Sequence, residues 1–320
     1  MARKKGRDID GILLLDKPAG ATSNAVLRRV SRLLDARKAG HTGSLDPLAT
    51  GLLVACFGEA TKVSGWLLNA DKTYQASAQL GVTTDSADAD GKVLERRAVP
   101  ALDRQGLESV LARFRGRQQQ IPPMFSALKH EGKRLHELAR AGQEVERAPR
   151  DVVIHALTGQ LDPPDRLRLT VRCSKGTYIR SLVADIGAAL GCGAHVGQLR
   201  RTGLGPYRDP DMLTPEALEA RLEDDPAALA DWLLPPESAL TEHPAAVIDM
   251  PLVTAFQHGQ SVPAAPRRAG VAEADAGAAT ADADVVAAFA GDNTFLGVGV
   301  WEGDNRLRPR RLLVQRTTGG

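Results

Sequence analysis

The chain has 320 residues, 43% of them apolar and 25% charged, which suits one large domain plus a smaller one and excludes disorder of the whole. No stretch approaches the roughly 18 consecutive apolar residues of a membrane span, and the basic start runs through Ile12–Leu15 straight into Asp16 and Lys17 without a signal-peptide core. The net charge of +2 hides an asymmetry: residues 1–210 hold 33 Lys and Arg against 22 Asp and Glu, and residues 211–320 hold 8 against 17, so a basic front is set to meet a polyanion.

Residues 1–9 lack apolar periodicity and read as a basic, flexible tail. Gly11–Asp16 has the length and flanks of a buried strand. Pro18 and Gly20 end it, and Thr22 or Ser23 caps a helix with Val26, Leu27, Val30, Leu33 and Leu34 inward. His41–Gly51 reads as a loop, because two glycines and a proline punctuate it. Leu52–Phe57 predicts a strand and Thr61–Leu68 a short helix. In Thr73–Leu80, one strand face carries Tyr74, Ala76, Ala78 and Leu80. A polar loop covers Asp85–Gly91, and an amphipathic helix covers Asp103–Phe114. Arg166–Cys173 alternates strictly, with arginines on one face. Gly176 then gives way to a helix with Ile179, Leu182, Val183, Ile186 and Leu190. Strands and helices in no βαβ rhythm predict an α+β fold.

Pro235-Pro236 marks a boundary. Beyond it, Ala246–Ile248, Val253–Phe256, Ser261–Val262, Val285–Phe289, Phe295–Val300 and Leu312–Val314 predict the strands of a small barrel or sandwich. Residues 267–284, mostly Ala, Gly, Asp and Glu, predict a low-complexity loop. A cut at Pro236 is expected to leave a folded front part.

Nucleotide-loop and zinc-site patterns are missing, the histidines are dispersed, and Cys56, Cys173 and Cys192 have no metal spacing. No cofactor and no metal are expected, and an odd cysteine count fits a reducing, cytoplasmic setting. What stands out is Asp46 on its glycine-flanked loop. Pro47 holds it extended and turns its carboxylate away from local helix bonding. On local sequence alone an Asp-Pro turn is the better reading.

The segment HTGSLDPLATG, His41–Gly51, closely resembles the catalytic loop of the bacterial tRNA pseudouridine synthases that act on uridine 55 of the T-loop. Leu15–Ser23, Lys72–Tyr74, Pro122–Lys129, Lys175–Leu182 and Gln198–Thr202 continue the likeness in the family's order. The region after Met250 is similar, more loosely, to a PUA-type RNA-binding β-barrel. The resemblance implies a catalytic domain over residues 10–235 with a central mixed, largely antiparallel sheet, and a PUA-like barrel over 236–320.

It also implies roles. Asp46 is the carboxylate that opens the glycosidic bond, with attack at C1′, attack at C6 and a glycal-type intermediate all left open. Arg180 keeps it ionised, expected as a bidentate partner. Tyr74 stacks on the extruded base, with its hydroxyl as late proton acceptor. His41 fills the vacated stack. Lys17, Tyr178 and Leu199 line the pocket, Leu199 as an apolar wall that plain packing also explains. The partner implied is the T-stem-loop of tRNA, with phosphates tracked by Arg166, Arg168, Arg172, Lys129, Lys133 and Arg134. The enzyme is expected to be a monomer. Rival readings are a guide-RNA-dependent synthase, a non-catalytic RNA-binding module and a glycosidase. The joint presence of Asp46, Tyr74 and Arg180, and the lack of a second placed carboxylate, argue against the last two.

Overall fold

Alternation decides the middle of the molecule. In Arg166–Cys173 every second residue, Leu167, Leu169, Val171 and Cys173, is 2% exposed or less, while the residues between face solvent. The computed structural model describes residues 6–162, 164–267, 285–303 and 305–314. The expected low-complexity loop lies almost wholly outside the described residues.

The main sheet has nine strands. Its path runs Gly11–Lys17, Thr50–Phe57, Ala194–Leu204, Lys72–Leu80, Arg166–Cys173, Arg150–Asp162 and Gly116–Gln120. Ala39–His41 and Tyr207–Arg208 pair beside this path. One contact on the path is parallel, Thr50–Phe57 beside Ala194–Leu204 at Arg200 and Arg201. The others are antiparallel, so the fold is the mixed, largely antiparallel α+β arrangement expected. The helix Ile179–Ala189 presses Leu182, Val183 and Ile186 onto the face that carries Tyr74, Ala76 and Ala78. The helix Ser23–Leu33, capped by Thr22 as the sequence signal indicates, covers Leu13, Leu15 and Leu53 on the other half.

The second sheet has six strands in the order Val262–Pro263, Arg306–Leu312, Phe295–Glu302, Val285–Ala290, Ala245–Ile248, Ala265–Arg267. Its two edge strands are separated by Ala264 alone, so the sheet curls until its edges approach, as a half-barrel.

Three expectations are corrected. Val253–Phe256 belongs to the helix Met250–Gln257. Pro251 sits in its first turn, and Leu252, Val253 and Phe256 follow helical spacing onto the barrel core. The basic tail is shorter than residues 1–9, because Arg7 bridges Ala36 and Ile9 is buried beside Val30 and Leu34. The last strand is Arg306–Leu312 rather than Leu312–Val314, and the barrel packs against the front part. Ile12, Leu14, Leu52 and Val54 share one apolar cluster with Val285, Ala287, Phe295, Val298 and Leu313. At its rim the Lys62 ammonium donates to the Leu312 carbonyl at 2.9 Å, and Glu59 accepts from the Val314 amide at 2.6 Å.

Candidate active site

The loop bearing Asp46 is pinned from three sides by the preceding strand and helix start. Lys17, fully buried, donates to the carbonyls of Pro18 at 2.8 Å, Ala21 at 2.6 Å and Pro47 at 3.2 Å. The Gly20 amide also donates to Pro47, at 2.8 Å, and Ser23 Oγ accepts from the Leu45 amide at 2.8 Å. Gly51 closes the loop at φ +94°, where an added Cβ would lie 2.3 Å from the Arg201 carbonyl, so no other residue fits. Lys17 thus has its ammonium engaged by backbone carbonyls. It positions the loop from below. Burial lowers its pKa to about 8, with the nearby Asp46 carboxylate pulling the other way.

Asp46 presents a carboxylate with 40% of its side chain exposed, against 4% for its partner Arg180. Arg180 Nε donates to Asp46 Oδ2 at 2.8 Å. The bidentate pairing expected from sequence does not form, because the two terminal nitrogens are held by the Ser86 carbonyl at 3.0 Å and the Phe125 carbonyl at 2.7 Å. Asp88, 8% exposed at its side chain, lies 3.6 Å from Arg180 Nε, so the guanidinium sits between two carboxylates. Burial pushes the Asp46 carboxyl above the usual carboxylate range. Arg180 opposes that rise and Asp88 adds to it.

Tyr74 belongs to the same apolar cluster as Leu45, Ala49, Leu199 and Ile179, and is 8% exposed. Burial raises its phenol pKa, and Arg201 opposes the rise. Tyr178 stands at the start of the Arg180 helix, where Gln120 clamps its backbone: the Tyr178 amide donates to Oε1 at 2.7 Å, and Nε2 donates to the Tyr178 carbonyl at 3.0 Å. His41 Nε2 lies 3.2 Å from Asn24 Oδ1, and burial lowers the imidazole pKa, followed by repulsion from Arg201. Beside the loop opens a cleft of about 1590 Å3, lined among others by Gly20, Leu48, Gln75, Leu199 and Arg200. Asp46 itself is not in that lining.

The structure thus brings Asp46, Tyr74, Arg180, Tyr178 and Leu199 around one place. Asp88, Ser86, Gln120, Phe125 and Arg201 complete it, and none of them was singled out by sequence reasoning. Arg166, Arg168 and Arg172 do share an exposed strand face, with Arg168 tied to Asp162 at 2.9 Å. Lys129, Lys133 and Arg134 are exposed on a small hairpin. Among the described residues no group of three or more His, Cys, Asp or Glu could hold a metal ion, and no helix is long and apolar enough to cross a membrane.

Known proteins match along nearly the whole chain. Residues 31–179 fit the TruB family pseudouridylate synthase N-terminal domain, residues 180–241 the tRNA pseudouridylate synthase B C-terminal domain, and residues 244–313 a pseudouridine synthase II TruB C-terminal segment. The tRNA pseudouridine synthase B of Nitrosococcus oceani is 48% identical over 317 residues, 98% of each chain. That of Stutzerimonas stutzeri is 49% identical over 310 residues, 96% of each chain. Among solved structures, a Cbf5–Nop10–Gar1 complex aligns with a TM-score of 0.70 at 26% identity, covering 96% of this chain and 84% of that one. An H/ACA RNP bound to a substrate RNA shares the fold with a TM-score of 0.71 at 24% identity, covering 96% and 86%. From catalytic loop to curled C-terminal sheet, the chain belongs to the TruB family of pseudouridylate synthases.

Proposed function

We propose that this isomerase is a tRNA pseudouridine synthase that converts uridine 55 of the T-loop, with Asp46 as its nucleophilic carboxylate. One observation carries the reading: a partly exposed carboxylate, on a loop fixed from below by Lys17 and Ser23, rests against a buried guanidinium whose other nitrogens are already engaged. Such a carboxylate is oriented, and the guanidinium offsets part of what burial costs its anion.

The target base leaves the stacked T-loop, at a cost of about a few kcal/mol, and enters beside Tyr74. His41, largely neutral at physiological pH because burial lowers its pKa, offers a flat ring for the vacated position. Asp46 opens the N1–C1′ bond, the uracil turns, and C5 joins C1′. N1 takes up the Tyr74 hydroxyl proton, the C5 proton passes to the resulting Tyr74 phenolate oxygen, and the C5–H pair restores the C5–C6 double bond. Atoms and electrons balance within one substrate, and no cofactor or metal enters. Leu199 and Tyr178 wall the base, and the arginines of Arg166–Cys173 with Lys129, Lys133 and Arg134 follow phosphates.

The enzyme acts as a monomer on free tRNA in the cytoplasm. The front's basic surplus supports capture of RNA without a guide. The test is incubation of purified protein with an unmodified tRNA transcript, followed by mapping of pseudouridine. Conversion at position 55 by the wild type and none by Asp46→Asn is expected. Conversion by Asp46→Asn at the wild-type rate removes Asp46 from the role.

A further inference from the structure

Arg201 is the largest fully buried side chain among the described residues, at 1% exposure. Its Nε donates to the Leu52 carbonyl at 2.7 Å and its Nη2 to the Gly43 carbonyl at 3.0 Å, both neutral acceptors. A guanidinium buried among neutral groups is costly, and an apolar residue would fill the same space more cheaply. The charge therefore calls for a use. Across the antiparallel ladder Arg201 stands opposite Tyr74, and the guanidinium reaches over the start of the Asp46 loop.

We propose that Arg201 is a positioning residue for the isomerisation: it stabilises Tyr74 as a phenolate in the step that removes the C5 proton, and through Gly43 it ties that base to the Asp46 loop. The proposal rests on the reading of Tyr74 as proton acceptor. A phenol 8% exposed is a poor base on its own, since burial disfavours its anion, and a fixed cation beside it supplies what solvent no longer does. The groups that bear on Tyr74 fall into two sets. Asp46 from the loop and Cys173 from the next strand disfavour the phenolate, and Arg201 favours it. The same guanidinium also pushes down the pKa of His41 and of Lys72, whose ammonium is engaged by the carbonyls of Leu68 and Ala70. Arg180 does not duplicate the role, because its nitrogens are committed to Asp46, Ser86 and Phe125.

The test uses the full-length protein and a T-stem-loop RNA whose target uridine carries deuterium at C5, in single turnover. Arg201→Gln is expected to bind the RNA as the wild type does and to slow conversion by at least about tenfold. It is also expected to show a primary C5 isotope effect that the wild type lacks, with the rate still climbing at alkaline pH. Replacing Tyr74 by 3-fluorotyrosine, a more acidic phenol, is expected to restore part of the lost rate. If Arg201→Gln does not fold, Arg201→Lys enters the same assay, where the retained charge predicts a smaller loss with the same isotope signature. Tyr74→Phe separates the two levels: full activity in that variant overturns the reading of Tyr74. A stalled Tyr74→Phe beside an Arg201 variant that loses rate with no isotope effect and no fluorotyrosine rescue, or loses none, overturns the role of Arg201 alone.

Discussion

Replacing Arg180 by lysine tests whether this residue acts as a charge or as a frame. In the structure one guanidinium holds three segments: Nε meets Asp46 at 2.8 Å and Asp88 at 3.6 Å, Nη1 meets the Ser86 carbonyl at 3.0 Å, and Nη2 meets the Phe125 carbonyl at 2.7 Å. A lysine ammonium is a point donor on a flexible stem and cannot span those positions. If it keeps Asp46, the two carbonyl bonds are lost in a site where Arg180 is 3% exposed. Hydrogen bonds to a charged group contribute about 1.5–3 kcal/mol each, so Arg180→Lys is expected to lose about 3–6 kcal/mol of stability. Turnover should fall further than the folded fraction does, because the segments carrying Ser86 and Phe125 no longer locate the arginine's replacement against Asp46. Urea unfolding supplies the first number, and single-turnover conversion of a T-stem-loop well below the unfolding midpoint supplies the second. A variant within about 1 kcal/mol of wild type that keeps a third of its rate would refute the frame and leave only the charge.

Asp88 raises the Asp46 pKa, so Asp88→Asn should move the acid limb of the pH–rate profile to lower pH, and an upward shift would contradict the placement of the two carboxylates. Lys17 has a pKa of about 8 in the fold against 10.5 when free. The unfolded chain thus binds the extra proton between those values, and the wild type should gain about 3 kcal/mol relative to Lys17→Met as the pH rises through that window, read by denaturant titration. Removing residues beyond Pro236 uncovers Ile12, Leu14, Leu52 and Val54, so a large loss of thermal stability or aggregation is expected. An unchanged, cooperative melt of the truncated chain would show that the shared cluster contributes little.

The motif residues were legible through the ordered resemblance, since taken singly Asp46 reads as a turn, Arg180 as a surface or structural arginine and Tyr74 as core. Their surroundings were less so. Asp88 is one of three acids in Asp85–Gly91, and nothing local separates it from its neighbours until Arg180 arrives from 92 residues away in sequence. Gln120 matters only as a clamp on Tyr178, which is again a long-range contact. Two core strands also escaped notice. In Arg150–Asp162 a bulge between Ile154 and Ala156 shifts the buried positions from Val152 and Ile154 to Leu157, which breaks the period of two. In Ala194–Leu204 a bulge between Val196 and Gln198 does the same, and brings Leu199 and Arg201 to buried positions. Four of the six expected half-barrel strands lie where apolar runs were bounded by turns; Val253–Phe256 became a helix because Pro251 can begin one, and Leu312–Val314 is only the far end of Arg306–Leu312.

The strand Ala194–Leu204 is among the last pieces of the main sheet in chain order, yet it lies in the middle, between Thr50–Phe57 and Lys72–Leu80. During synthesis, those two strands emerge more than a hundred residues before the one that will join them. Until it does, each presents a bare hydrogen-bonding edge of the kind that recruits wrong neighbours. Closure of the sheet from its centre is a non-local and therefore slow event. It also delivers Leu199 and Arg201 to the site in the same movement. A nascent or half-folded chain is accordingly expected to lack a fixed placement of the Asp46 loop against Tyr74 until the ladder is complete.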